Sequence, residues 1–316
     1  MYCSGMPAPR GIRGTGLILL LMVLFSPPAS GGENAPLVLE LSTQASEPYR
    51  KVLEAFRAQL RTGEPDAQFY YHLIGDDKSL PAAPFALEKR PSLIFALGTR
   101  AIAMARETFP TTPLVATMIL NGKQEGQEAP YAAITLRIPP AIHLYWLAKF
   151  VPSARRVGIL YDPEQSSDLL AAFQQSSEGT GLEIVPVKVN SPGQLQRGLQ
   201  DISRQADVLL AIPDATVYSG KTAKEVLLFS YRHRIPFVGL SSTWVEAGAL
   251  YALEADYTFI GHQCAQSARQ ILTGDPPVAP SLANDNVTFT INSKTARHLR
   301  LDIDAELLAN GLEVFR

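Results

Sequence analysis

Residues 92–108 read SLIFALGTRAIAMARET. A short apolar run, LIFAL, meets a Gly-Thr pair and then a stretch with the composition of a helix. An apolar run of that length without alternation fits a strand buried on both faces, as in a parallel sheet. The same succession returns twice. VGILY at 157–161 is followed by Asp162 and Pro163, and VLLAIP at 208–213 is followed by Asp214, Ala215 and Thr216. Strands that each lead into a helix predict right-handed crossovers and parallel pairing. Ligands of open α/β sheets bind outside the carboxyl ends of such strands, so the pattern reads as a binder before a catalyst.

Working outward, the segments before residue 92 predict a strand at 38–41, an amphipathic helix at 48–60 with Val52, Leu53, Phe56 and Leu60 on one face, and a strand at 69–74. A polar turn at 76–84 and a short helix at 85–89 follow, then, beyond the opening motif, strands at 114–120 and 132–136. Pro139-Pro140 opens a helix running to Val151, since proline is tolerated in a first turn. A second series then repeats the first: strand 157–161, helix 167–180, strand 182–188, helix 193–205, strand 208–212, helix 222–234 and strand 236–240. A strand at 250–255, a helix at 258–272, a strand at 287–291 and two short terminal helices complete the chain. Two similar α/β halves without a long flexible linker predict two lobes around a cleft.

The beginning of the chain carries Arg10 and Arg13, a nine-residue apolar stretch at 17–25 and then small residues up to Gly31. A basic start, a short apolar core and small residues before a polar segment form an export signal, with cleavage expected after Gly31 and, as the alternative, after Ala29. Cys3 leaves with that signal. Cys264 is then alone, unable to form an internal disulfide, and its helical context predicts a buried structural thiol. Of 28 basic and 30 acidic residues, removal of 1–31 leaves 26 and 30, a formal charge of −4. This mildly acidic balance, without a basic stripe, argues against nucleic acid and anionic membranes as partners.

Specific segments resemble a known family. FALGTRA at 95–101, RVGILYDP at 156–163, IPDATV at 212–217, and Gly248-Ala249-Leu250 with Asp256-Tyr257 and Gly261 resemble consecutive motifs of the tryptophan/tyrosine-type ABC transporter substrate-binding proteins. ILTG at 271–274 with Pro276-Pro277, then Ile291-Asn292 and residues 296–301, continue the same order. The resemblance implies a type I periplasmic-binding-protein fold, each lobe a parallel sheet flanked by helices, with three hinge crossings. It implies an exported, periplasmic solute receptor that captures a small molecule, an amino acid or related compound, and docks on an ABC permease. The lobes implied are 32–135 plus 256–280 and 136–255 plus 281–316. The sequence departs from the family after the fourth strand, where Met118 to Gly122 and Tyr131 to Thr135 replace an Asp-Pro turn and a Gly-Asn-x-Thr-Gly segment; ligand identity is left open.

Seven residues at strand ends are candidates for the ligand site. Gly98 and Thr99 offer backbone N–H groups and a hydroxyl to an anion, with a turn glycine and a helix cap as the bland alternative. Asp214 and Thr216 hold the equivalent place in the second lobe, where a carboxylate suits a ligand ammonium but also caps the following helix. Asp162, Ser241 and Asp256 are candidates of the same class. Tyr161, Tyr218 and Trp244 sit near strand ends, and core packing is the stronger reading for each. Ser241, Asp256 and His262 occur in hydrolase order, yet Ser241 lacks the second glycine of a nucleophile elbow, so no enzyme is expected. The five histidines show no metal-ligand spacing, and no metal or cofactor is expected. A sensor of the same fold that is not coupled to a permease is the alternative reading.

Overall fold

The structure, a computed structural model, describes residues 35–75, 90–120, 131–275, 286–309, 311 and 313–315. The expected export signal and the expected helix at 85–89 lie outside these residues. In the first lobe the chain forms β1 (Leu37–Ser42), α1 (Glu47–Arg61), β2 (Gln68–Leu73), β3 (Leu93–Leu97), α2 (Thr99–Thr108), β4 (Leu114–Thr117) and β5 (Tyr131–Ala133). These strands pair in the order β2-β1-β3-β4-β5, every pairing parallel. The continuous apolar runs are explained by two cores. Val38, Leu93, Phe95 and Leu97 face one, with Val52, Phe56 and Leu60 of α1. Leu39, Leu41, Ile94 and Ala96 face the other, with Ala101, Ile102 and Ala105 of α2.

The second lobe repeats the plan with α3 (Pro140–Phe150), β6 (Arg156–Tyr161), α4 (Pro163–Ser177), β7 (Glu183–Lys188), α5 (Leu195–Gln205), β8 (Val208–Leu210), α6 (Ala223–His233), β9 (Phe237–Gly239), α7 (Ser242–Glu246) and β10 (Tyr251–Ala255). The remaining elements are α8 (Tyr257–Thr273), β11 (Val287–Asn292), α9 (Ser293–Leu299), α10 (Ala305–Ala309) and β12 (Glu313–Phe315). The sheet order is β12-β11-β10-β9-β8-β6-β7. Within each sheet the strand order reverses once, between β1 and β3 and between β6 and β8, and such switch points open crevices at the carboxyl ends of strands.

Four elements differ from the sequence reading. The second sheet is not wholly parallel, because β10 and β11 pair antiparallel. The physical cause is the route between them: α8 leaves β10 and packs on α1 of the first lobe, so the chain comes back to the second sheet from the end at which β10 left it. Helix α4 begins at Pro163, capped by Asp162, but Ser166 is non-helical (φ −134°, ψ 15°), so the regular helix resumes where the sequence predicted its start. Short α7 and β12 were not anticipated; five and three residues carry too few periods to read.

Helix α8 is buried in the first-lobe core through Ile260, Cys264, Ala265, Ala268 and Ile271. Cys264 is fully buried, which pushes its thiol pKa up and makes it the structural thiol expected. Close approach to α1 depends on Gly261, where an added Cβ would lie 2.6 Å from both the Val52 carbonyl oxygen and the Ala55 Cβ. On the other side of α1, Arg57 forms a two-pronged ion pair with Glu40, a carboxylate wholly buried on β1. Gly261→Ala is expected to destabilise the protein by about 1–3 kcal/mol, since a backbone carbonyl cannot yield as a side chain does. Denaturant melts of this variant beside Gly220→Ala, where nothing lies within 4 Å, test this; equal stability of the two would show that the helices can part without cost.

Candidate functional site

The carboxyl ends of β6 and β8, at the second switch point, are tied by a network of polar groups. The Asp214 carboxylate accepts from the Asp162 N–H at 2.7 Å and the Ser166 hydroxyl at 2.6 Å through Oδ2. Through Oδ1 it accepts from the N–H groups of Thr216 and Val217, each at 3.0 Å. The Asp162 carboxylate accepts from the Thr216 hydroxyl at 2.7 Å and from the Glu164 N–H at 3.1 Å. These two bonds hold the Asp162 carboxyl below the usual carboxylate range. Gln165 completes the network, donating to the Thr216 hydroxyl and accepting from the Ala215 N–H at 3.2 Å. Both acids are buried, at 6% and 5% exposure, and satisfied by the protein itself.

A cavity of about 810 Å³ opens beside this network. Its walls come from the crossing segment at Leu136, Arg137 and Ile138, from Gln165 to Phe173 on α4, from the ends of β8 and β9 at 211–213 and 239–241, and from 253–255 with Tyr257 at the second crossing. Leu120, just beyond β4, contributes from the first lobe. The lining combines apolar faces (Leu169, Phe173, Leu240, Leu253) with a few polar groups, the usual make-up of a small-molecule site. His143 of α3 lies in the wall, its ring 5.7 Å from that of Phe173, with Nδ1 buried and unpartnered among the described residues. Burial pushes its pKa down to about 4, so the ring is neutral at pH 7.

Of the seven candidates, Ser241 lines the cavity. It precedes α7 with its side chain making no capping bond. Asp162, Asp214 and Thr216 come together in the network behind the wall; Asp214 ties the turn at 215–217 through the Thr216 and Val217 N–H groups, whereas the helix that follows, α6, begins at Ala223 after Thr222 and is not capped by it. Gly98 and Thr99 sit together at the first switch point. Gly98 has φ 99°, and an added Cβ would meet the Thr43 side chain; Thr99 opens α2 and is exposed. Asp256 caps α8 through the Thr258 and Phe259 N–H groups at 2.9 and 3.1 Å. No hydrogen bond joins Ser241, Asp256 and His262 among the described residues, so the hydrolase order in sequence is not a triad in space. Tyr161 and Tyr218 are core residues, and Trp244 packs edge-on to Phe237. Sequence reasoning missed Arg137, His143, Asp168 and Glu254. The first two lie near a Pro-Pro helix start and the others inside regular elements, where nothing in local sequence marks a cavity wall.

Two consequences are measurable. Asp214→Ala strands four donors and is expected to cost about 2–4 kcal/mol, read as a fall of several degrees in the thermal midpoint. An unchanged midpoint with lost ligand affinity would instead return Asp214 to direct contact. For His143, the unfolded side chain binds a proton near pH 6.5 while the folded one resists until about 4. The unfolded state therefore binds more protons in that window, and stability falls as pH drops through it, by up to about 3 kcal/mol. His143→Phe should flatten this part of the stability curve; an identical slope in the variant would remove His143 as its source.

Comparison with known proteins supplies the context. The model of the family described as ABC transporter substrate binding protein matches residues 136–315. Among solved structures, the ligand-free, open form of a substrate-binding protein with adhesive properties from Clostridium difficile is 18% identical, with a TM-score of 0.67 over 89% of this chain and 99% of the other. The ABC domain from Streptococcus pneumonia in complex with L-Trp is 16% identical, TM-score 0.56, over 89% and 100%. A periplasmic ribose ABC transporter structure from Conexibacter woesei is 15% identical, TM-score 0.51, over 85% and 97%. At these identities the likeness is one of fold, the two-lobed type I binding-protein fold. Comparison with curated proteins gave no match. The matched segment spans the second sheet, both sides of the network and α8, and on that match the chain belongs to the ABC transporter substrate-binding protein family.

Proposed function

We propose that this protein is the extracytoplasmic receptor of an ABC-type importer, and that it captures a small molecule by closing its two lobes. The observation that carries this reading is the position of the cavity: its walls include two of the segments that cross between the lobes, at 136–138 and at 253–255 with Tyr257, the strand ends of the second sheet and Leu120 of the first lobe. A ligand lodged there touches the elements that must bend for the lobes to move. It therefore favours the closed state by contacts that the open state lacks.

In this reading the lobes are residues 32–135 with 256–280 and residues 136–255 with 281–316. Ser241 contacts the ligand directly, and Gly98 and Thr99 form the facing wall that closure brings up. Asp162, Asp214 and Thr216 act at one remove: they hold Gln165 and the β8 loop in place, while Asp256 fixes the start of α8 at the hinge. Residues 1–31 direct export to the periplasm, and a membrane permease reads the closed form. The protein binds its ligand and does not transform it.

The test is a thermal-shift screen of the purified protein against amino acids, nucleosides, sugars and small organic anions, followed by solution scattering. A ligand at 100 times its dissociation constant should add about 2.7 kcal/mol and raise the midpoint by a few degrees. The same compound should reduce the radius of gyration as the lobes close. A folded protein that responds to no compound in the panel, or one that converts the compound it binds, would sink the receptor reading.

A further inference from the structure

We propose that the cavity is built for a net-cationic zwitterion: a molecule with one anionic and two cationic groups on an alkyl stem, the chemistry of a basic amino acid. This rests on the receptor reading of the same cavity. Its lining holds three charged side chains, Arg137, Asp168 and Glu254. Arg137 lies on the first crossing segment, where the Leu136 N–H bonds to the Ile119 carbonyl at 2.9 Å and Pro139 stiffens the chain beyond. Its guanidinium has no hydrogen bond or ion pair among the described residues, and neither has the Asp168 carboxylate. The carboxylate of Glu254, half-buried on β10, accepts only from the Ser242 hydroxyl among the described residues, at 3.3 Å. The wall therefore offers one cation and two carboxylates with spare capacity.

The contrast with Asp162 and Asp214 is what gives these three their meaning. Those acids are filled by internal donors, so they cannot be the ligand's partners without dismantling the loops they hold. His143 adds no charge at neutral pH. Closing the lobes excludes water from the three free charges, and a charge buried without a partner costs several kcal/mol. A sugar offers hydroxyl hydrogen bonds but no opposite charge to any of the three. A neutral zwitterion pairs Arg137 and one carboxylate and strands the other, and a dianion strands both. One anionic group on Arg137 with one cationic group on each carboxylate leaves none. The stem between them meets Leu169 and Leu253, and the rings of Phe173 and Tyr257 tolerate a cation at their faces.

Titration calorimetry with L-arginine, L-lysine, agmatine, L-norleucine and L-tryptophan separates the contributions. Agmatine lacks the carboxylate and norleucine lacks the second cation. L-arginine or L-lysine should bind at least tenfold more tightly than any of the other three. Arg137→Gln should abolish the preference for arginine over agmatine, and Asp168→Asn and Glu254→Gln the preference over norleucine, with thermal midpoints of the free variants unchanged. Norleucine, tryptophan, a sugar or a nucleoside binding more tightly than both basic amino acids overturns the charge assignment and leaves the receptor reading standing. Retention of the arginine-over-agmatine preference in Arg137→Gln removes Arg137 from the site. No response to these five compounds or to the wider panel overturns both readings.

Discussion

The packing of α8 against α1 is the contact from which the rest of the architecture follows. Helix α8 follows β10 in sequence and belongs to the second sheet by connectivity, yet its apolar face is buried in the core of the first. Only a residue without a side chain at 261 lets the two helices approach so closely. Because the helix is held there, the chain must cross between lobes at Asp256 and come back to pair β11 antiparallel with β10. The crossing at 134–139 lies in the same cavity wall as 253–257. Two crossings thus lie at one place, and whatever occupies the cavity sits against both.

The duplicated strand order explains why function gathers where it does. Each sheet reverses its order once, and at each reversal two loops diverge and leave a crevice. In the first lobe the crevice is occupied by Gly98 and Thr43, packed so closely that a side chain at 98 has no room. In the second it is bridged by the Asp162 and Asp214 carboxylates, which between them accept from four backbone N–H groups and from three side chains. Carboxylates at strand ends thus have two uses that look identical in sequence. They can meet a ligand, or they can satisfy the backbone of a tight loop, and burial with four good donors selects the second for Asp214.

The consequence is a division of labour around the cavity. The Asp162 and Asp214 carboxylates that shape it are buried and hydrogen-bonded within the protein, and the charged groups that line it (Arg137, Asp168 and Glu254) retain free capacity. Preorganised loops lower the conformational cost of binding, because little remains to be ordered when the ligand arrives. His143 belongs with the shaping groups: its burial beside Phe173 keeps the imidazole uncharged, so the wall's charge near neutrality is set by the other three residues alone.

Much of the fold was legible in the chain because it rests on local periodicity. The runs 93–97, 157–161 and 208–210 are strands buried on both faces, and a parallel sheet with helices on both sides produces that unbroken apolar signature. Pro-Pro at 139–140 announced a helix start that the structure contains. Residue order along the chain also sufficed for the family. What it could not decide was which strand-end groups face outward. Asp214 and Ser241 both follow strands of the second sheet, yet Asp214 is enclosed by the loop at 162–166, some 50 residues away in sequence, while Ser241 opens on the cavity. The antiparallel β11 and the cavity walls at Arg137 and Asp168 were equally invisible, since each depends on where α8 docks and how the crossings meet. Local sequence determined the elements and their order; only the packing of distant segments decided which polar groups are spent on the protein and which are left for a ligand.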